Sequence, residues 1–235
     1  NAVNHDFMPQ YPSSAVVLID TTYFGRTDGV MLFQDAMNGI ILQRKYVRYE
    51  TNAEYLDGLA DLKQHGTEII AVICDGRKGL LDSISYCPVQ MCQFHMQQII
   101  RRYLTQRPHL IAGRELYGMC RQMKSLGKMN FTKEFDAWCD KWDSFLNERT
   151  SLISGKTTYT HRRLRAARRS IVEHLPWLFT YEVYPELGIP NTTNMLEGTN
   201  SEMKRCLRNH NGLTKQHRNK FIDGFLETWG RNPEK

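Results

Sequence analysis

The sequence predicts an α/β domain in which a five-stranded mixed sheet is flanked by helices and an all-helical insertion precedes the last helices. Three observations predict it. Between residues 15 and 108 the patterns succeed one another as strand, strand, strand, helix, strand, helix, strand, helix. Strand signals vanish between Leu110 and Leu187, and two amphipathic helices follow after Pro190.

Ala15 to Ile19 is an unbroken apolar run ending at Asp20, the pattern of a strand buried on both faces, with Tyr23 and Phe24 as a possible continuation. Gly25 to Gly29 supplies turn chemistry, and Val30 to Phe33 reads as a returning strand. Asn38-Gly39 is a hairpin signal before a third strand from Ile40 to Tyr49. Asn52 is the expected N-cap of a helix whose Tyr55, Leu56, Leu59 and Leu62 share one face, and Gly66 is its expected stop. Thr67 to Cys74 is a second buried strand closed by Asp75. A turn and a short helix over Gly76 to Asp82 lead to a brief strand, Val89 to Met91. A helix from Phe94 then presents Ile99, Ile100, Tyr103 and Leu104 as far as Pro108.

In the insertion, Trp138, Trp142, Phe145 and Leu146 recur at helical spacing and are assigned, with Trp177, to a helical core. Prolines 176, 185 and 190 break up its end. Asn191 to Thr193 can cap a helix carrying Met195, Leu196, Glu197, Met203 and Leu207. Asn211-Gly212 separates it from a last helix with Phe221, Ile222, Phe225 and Leu226. The expected organisation is an α/β core in two parts, residues 11–105 and 191–232, split by an all-helical insertion over residues 106–190.

With 235 residues the chain can bury a sizeable core, and its net charge of +6 suits a polyanionic partner. Six cysteines spread along the chain read as reduced thiols, not as a disulfide framework. The apolar run at Val16–Ile19 is far too short to span a bilayer, so the expectation is an intracellular protein without a membrane or small-molecule partner.

Chemistry is concentrated in acids. Asp20 and Asp75 each follow a buried strand, and Glu197 lies near the start of a late helix, places from which distant residues can meet on one rim of a sheet. Carboxylate oxygens there suit hard divalent cations, which activate an oxygen nucleophile and relieve charge on a leaving oxygen. Asp28, Asp35, Glu50 and Asp82 are read as ordinary loop or surface acids. Cys92 and His95, three apart, share a helix face and can reach one site together. A zinc site would recruit Cys87 and Cys74, but this spacing matches no common structural zinc module; the alternative is a half-buried thiol beside a satisfied imidazole.

Asp20 in VVLIDTTYF, Asp75 in IIAVICDGRKGL, the element Cys92-Gln93-Phe94-His95 and Glu197 in NTTNMLEGTNSEMK, in this order and with a helical stretch before the Glu, resemble the DDE transposases of the Mutator-like bacterial insertion-sequence superfamily. The resemblance runs across nearly the whole chain. It implies a ribonuclease H-like catalytic fold, Mg²⁺ (or Mn²⁺) held by Asp20, Asp75 and Glu197, and Cys92 and His95 near the active site, with His95 contacting a substrate phosphate or orienting an acid. It also implies DNA cleavage at transposon ends, strand transfer to target DNA, a homodimer that handles two ends, and residence on DNA in the bacterial cytoplasm. Family members add an N-terminal end-recognition segment, which residues 1–14 cannot supply.

Two basic clusters fit a DNA partner. Lys156 to Arg169 is free of acids and carries Arg162, Arg163, Arg165, Arg168 and Arg169; Lys204, Arg205 and Arg208 follow Glu197 directly. Two other functions compete with the transposase: a transposon-derived DNA-binding protein that no longer cuts, and a haloacid dehalogenase-like phosphatase with Asp20 as nucleophile. The phosphatase expects an acid where this chain has Thr22.

Overall fold

The computed structural model describes residues 7–210 and 212–229. Asn211 and residues 230–232 of the expected second core segment therefore lie outside the described residues. The sheet is built from β1 (Ser14–Tyr23), β2 (Gly29–Asp35), β3 (Ile41–Val47), β4 (Glu68–Cys74) and β5 (Val89–Met91), in the order β3-β2-β1-β4-β5. The first three strands form an antiparallel meander, and β4 and β5 add in parallel to β1. This is the mixed sheet of a ribonuclease H-like fold.

Pleating sorts the strands into two cores. Val17, Ile19, Phe33, Val72 and Cys74 face α1 (Asn52–Gln64) and α3 (Gln93–Leu104), whereas Val16, Leu18, Val30, Leu32, Ala71 and Ile73 face α8 (Asn194–Arg208) and α9 (Lys215–Trp229). Asp20 has the parity of Val16 and Leu18, and Asp75 that of Ala71 and Ile73. Both acids thereby fall on the α8 face.

Asp20 does not close its strand. The β1–β4 ladder stops at Leu18↔Ile73, but β1 continues against β2 to Tyr23↔Gly29. Thr21 to Tyr23 are β-formers with the meander to pair with, so the strand outlasts its parallel neighbour and Asp20 stands at the mouth of the gap. The cap of α1 also differs from expectation. Thr51 accepts the Glu54 amide at 3.2 Å, while Asn52 turns to the loop after Asp75, where it donates to the Lys78 carbonyl and accepts from Arg77 Nε. Gly66, at φ +90°, follows α1 as expected.

After β4 comes α2 (Leu80–Ser83), and beyond α3 come α4 (Ile111–Arg121), α5 (Met123–Leu146, kinked at Gly127), α6 (Arg162–His174) and α7 (Thr180–Val183). Trp138 donates its indole N–H to the Ala112 carbonyl and Trp142 to Glu115, joining α5 to α4, and Trp177 packs against the same core. One short ladder interrupts the helices: β6 (Arg149–Ser151) pairs antiparallel with β7 (Thr157–Tyr159) around a turn at Gly155, φ +76°. Its strands are brief, polar and mostly exposed, so no apolar alternation announces them.

Gly58 in α1 lies directly over Phe33, where an added Cβ would stand 2.1 Å from the ring's Cζ. Phe33 is fully buried and cannot swing aside. Gly58→Ala should therefore lower stability by about 1–3 kcal/mol, outweighing the roughly 1 kcal/mol that alanine gains as a helix former. Urea unfolding checks this, and the penalty should shrink when Phe33→Leu makes room. A Gly58→Ala protein as stable as the parent would show that the two elements do not meet this closely.

Candidate active site

Four elements deliver side chains to the gap beside β1. Asp20 comes from β1, Asp75 from the residue after β4, Cys92 and His95 from the start of α3, and Thr193, Glu197 and Asn200 from the start of α8. The two helix starts are tied together: the Gln93 amide donates to the Asn191 carbonyl at 2.9 Å, and Asn191 Nδ2 donates to Gln93 Oε1 at 2.8 Å. The Cys92 amide donates to the Cys74 carbonyl at 2.8 Å, so α3 begins against the end of β4.

Asp75 sits in a clamped loop. Its Oδ1 accepts the Arg77 amide at 3.1 Å, and the Arg77 guanidinium reaches Asn52 Oδ1 and the Glu50 carbonyl, both at 2.7 Å. Gly76 is required here. A Cβ would meet Met91 Cε at 2.4 Å and His174 Nε2 at 2.9 Å, because His174 of α6 lies over the loop within 3.1 Å of the Gly76 carbonyl.

On the α8 side, Asn200 Nδ2 donates to Asp20 Oδ2 at 2.9 Å. Thr193 does not cap α8 with its side chain; its hydroxyl lies 3.1 Å from Glu197 Oε1 and 3.3 Å from Cys92 Sγ. His95 Nδ1 is 3.8 Å from Glu197 Oε1. The structure thus brings Asp20, Asp75, Glu197, Cys92 and His95 to one place. Sequence reasoning missed Asn200 and Thr193, for which the only signal was a polar residue one turn from Glu197 on either side.

The acids repel one another. Burial raises the Asp20 carboxyl to about 7; His95 works against this, and the Asp75 and Glu197 charges add to it. Burial disfavours a charged His95, but Cys92, Asp20 and Glu197 outweigh it and lift the imidazole to about 9. Burial also pushes the Cys92 thiol up, yet His95 and Thr193 bring it below its usual value. The oxygens of Asp20, Asp75 and Glu197, and the buried Asn200 Oδ1 that has no hydrogen-bond partner, are donors of the type a hard divalent cation takes, although among the described residues it is Cys92, His95 and Glu197 that bring their ligand atoms within 4.8 Å of one another.

The basic residues lie in two places. Arg162, Arg165, Arg168 and Arg169 line one cleft with Tyr159. Several are anchored: Arg163 donates to the Arg102 carbonyl, Arg165 to the Leu146 carbonyl and Asn147, and Arg168 to Cys139 Sγ, while Arg169 faces Glu173 at 3.7 Å. On α8, Lys204 and Arg208 border a second cleft with Phe24 and Arg218, and Arg205 is paired with Glu202. Asp28 and Glu50 serve the scaffold, Asp28 pairing with Lys215 and Arg218 and Glu50 with Arg77 and Tyr55. Among the described residues no helix is long and apolar enough to cross a membrane.

Burial of Asp20, with the Asp75 and Glu197 charges adding to it, gives a pH signature in the metal-free chain. Asp20 has a folded value above its unfolded one near 3.8, so stability falls as pH rises from about 4 through 7. His95, also raised, contributes stability that is complete below 6.5 and is lost as pH rises through about 9. In EDTA, Asp20→Asn should melt above the parent at pH 8, by about 2–4 °C for each kcal/mol relieved, and the advantage should vanish near pH 4. A variant that melts lower at pH 8 would mean that Asp20 is not held in a poorly solvated place beside like charge.

No family model and no curated protein matches the chain. Among solved structures it is similar to the HTLV-2 integrase catalytic core domain in complex with magnesium. To the dimeric form the identity is 14% and the TM-score 0.28, with 64% of this chain and 95% of that chain covered. To the trimeric form the identity is 14% and the TM-score 0.27, with 64% and 96% covered.

Proposed function

We propose that this chain is the catalytic domain of a DDE-type transposase, cleaving DNA at transposon ends and joining the freed end to target DNA. One observation supports the reading most: Asp20, Asp75 and Glu197, 55 and 122 residues apart in sequence, are carried by β1, the end of β4 and the first turn of α8 to the gap where β1 outruns β4, and the Asp75 and Glu197 charges add to the burial that raises Asp20. In this reading residues 106–190 are an insertion within a core formed by 11–105 and 191–232.

Asp20, Asp75 and Glu197 would hold Mg²⁺, which supplies charge relief at the reacting phosphate and a more acidic water. The surrounding residues keep this arrangement in register. Asn200 holds the Asp20 carboxylate at 2.9 Å, Arg77 fixes the loop that carries Asp75, and His95 faces Glu197 with a charge opposite to the cluster. Water is the nucleophile in cleavage and a DNA 3′-hydroxyl in joining, so no covalent protein intermediate forms. A homodimer handles the two ends.

DNA is held by charge. Lys204 and Arg208 extend along the helix that carries Glu197, and the α6 arginines with Tyr159 offer a second surface; both neutralise phosphates without reading sequence. The phosphatase reading loses ground because Thr22, in place of its second acid, is buried within β1.

The parent chain should nick nonspecific duplex DNA in Mn²⁺ or Mg²⁺ and not in EDTA, and Asp75→Ala should abolish nicking while leaving DNA binding intact. Binding without nicking by the parent would favour the relic instead, and nicking in EDTA would exclude a metal-dependent site. Binding should weaken steeply with salt, and Arg162→Ala or Arg208→Ala should each reduce the slope of log affinity against log salt by about 1. Salt-insensitive binding would remove both clusters from the interface.

A further inference from the structure

We propose that Cys92, His95 and Glu197 form a separate cation site for thiophilic divalent ions such as Zn²⁺ or Co²⁺, and that filling it withdraws Glu197 from the hard-cation cluster. The inhibitory consequence rests on the transposase reading. The binding itself rests on geometry.

Each of the three residues offers one ligand atom, and these atoms lie within 4.8 Å of one another. A tetrahedral ion at roughly 2.0–2.3 Å from each ligand would draw them only slightly closer. Cys92 and His95 come from one turn of α3 and Glu197 from the first turn of α8, elements already fastened by the Gln93–Asn191 pair. Three protein ligands leave a fourth position for water.

Two further observations point to a ligand. His95 Nδ1 is buried without a hydrogen-bond partner, 3.8 Å from Glu197 Oε1. Cys92 Sγ, fully buried, has both the Thr193 amide and the Thr193 hydroxyl at 3.3 Å, donors that favour a thiolate. The Thr193 hydroxyl also lies 3.1 Å from Glu197 Oε1, so one residue braces two of the three ligands from outside. A thiolate, an imidazole and one carboxylate select zinc-like ions over Mg²⁺, whereas the oxygens of Asp20 and Asp75 do the reverse. The third ligand is thus Glu197 from a distant helix, not the Cys87 or Cys74 that sequence spacing brings to mind.

Titrating the full chain with Co²⁺ in the absence of Mg²⁺ tests this through the sulfur-to-cobalt charge-transfer absorption and the visible bands of a four-coordinate site. One equivalent should bind, Zn²⁺ should displace it and excess Mg²⁺ should not. Cys92→Ser should lose the charge-transfer band, and His95→Gln and Glu197→Gln should each weaken binding. Thr193→Val should weaken it by about 10–100-fold. Asp75→Ala and Cys206→Ser, confirmed as folded by circular dichroism, should keep the band. A folded parent without the band, or a band that survives Cys92→Ser, overturns the site; if Cys92→Ser does not fold, undiminished binding by Glu197→Gln does so. Zn²⁺ should also inhibit Mg²⁺-dependent nicking. A chain that never nicks but gives the cobalt spectrum defeats the transposase reading and leaves the site standing.

Discussion

Like charge held in a poorly solvated place is the constraint on which this molecule turns. Three carboxylates share the gap beside β1, and burial together with their mutual repulsion holds Asp20 near 7. Such a cluster opposes folding, so something stronger must impose it. The two packed faces of the sheet do so: Leu196 and Met203 of α8 share one buried core with Val16, Leu18 and Ile73, and the helix cannot tilt away to separate Glu197 from Asp20 without opening that core. Burying each such side chain contributes on the order of 1.5–3 kcal/mol, so several of them acting together, and no single one, outweigh the roughly 4 kcal/mol that a carboxyl raised to about 7 costs once ionised.

The neighbours then limit the damage. Asn200 donates to Asp20, His95 supplies positive charge opposite Glu197, and the Arg77 guanidinium pins the Asp75 loop through Asn52 and Glu50. Asn200 and Arg77 act through directional hydrogen bonds and His95 through charge at 3.8 Å, so each acid has a neighbour that fixes or offsets it. A second consequence is selectivity by donor type within one small volume. Oxygens gather on the β1 and β4 side, and a sulfur and an imidazole on the α3 side, with Glu197 between them.

The strands were legible because β1, β2 and β4 are buried on both faces and leave unbroken apolar runs, and the acids were legible because a charge at the end of such a run stands out. What failed did so for local reasons. Thr51 and Asn52 are both good caps, and only the distant Arg77 decides that Asn52 is used elsewhere. The β6–β7 ladder buries almost nothing and so has no apolar period to read. Asn200 and Thr193 are common helix-start residues whose meaning comes from Asp20 and Cys92, 180 and 101 residues away. The pairing of Cys92 and His95 could be read from their spacing, but their third neighbour could not, because α8 reaches α3 only through the tertiary fold.

The helical segment between α3 and α8 is no passive appendage to the site. Helix α6 packs along α3, which carries Cys92 and His95, and its last residue, His174, presses on Gly76 directly after Asp75. Both contacts are close-packed, and a packed interface shifts between discrete arrangements more readily than it deforms by degrees. The extra helices thereby help to fix where the Asp75 loop and the start of α3 stand.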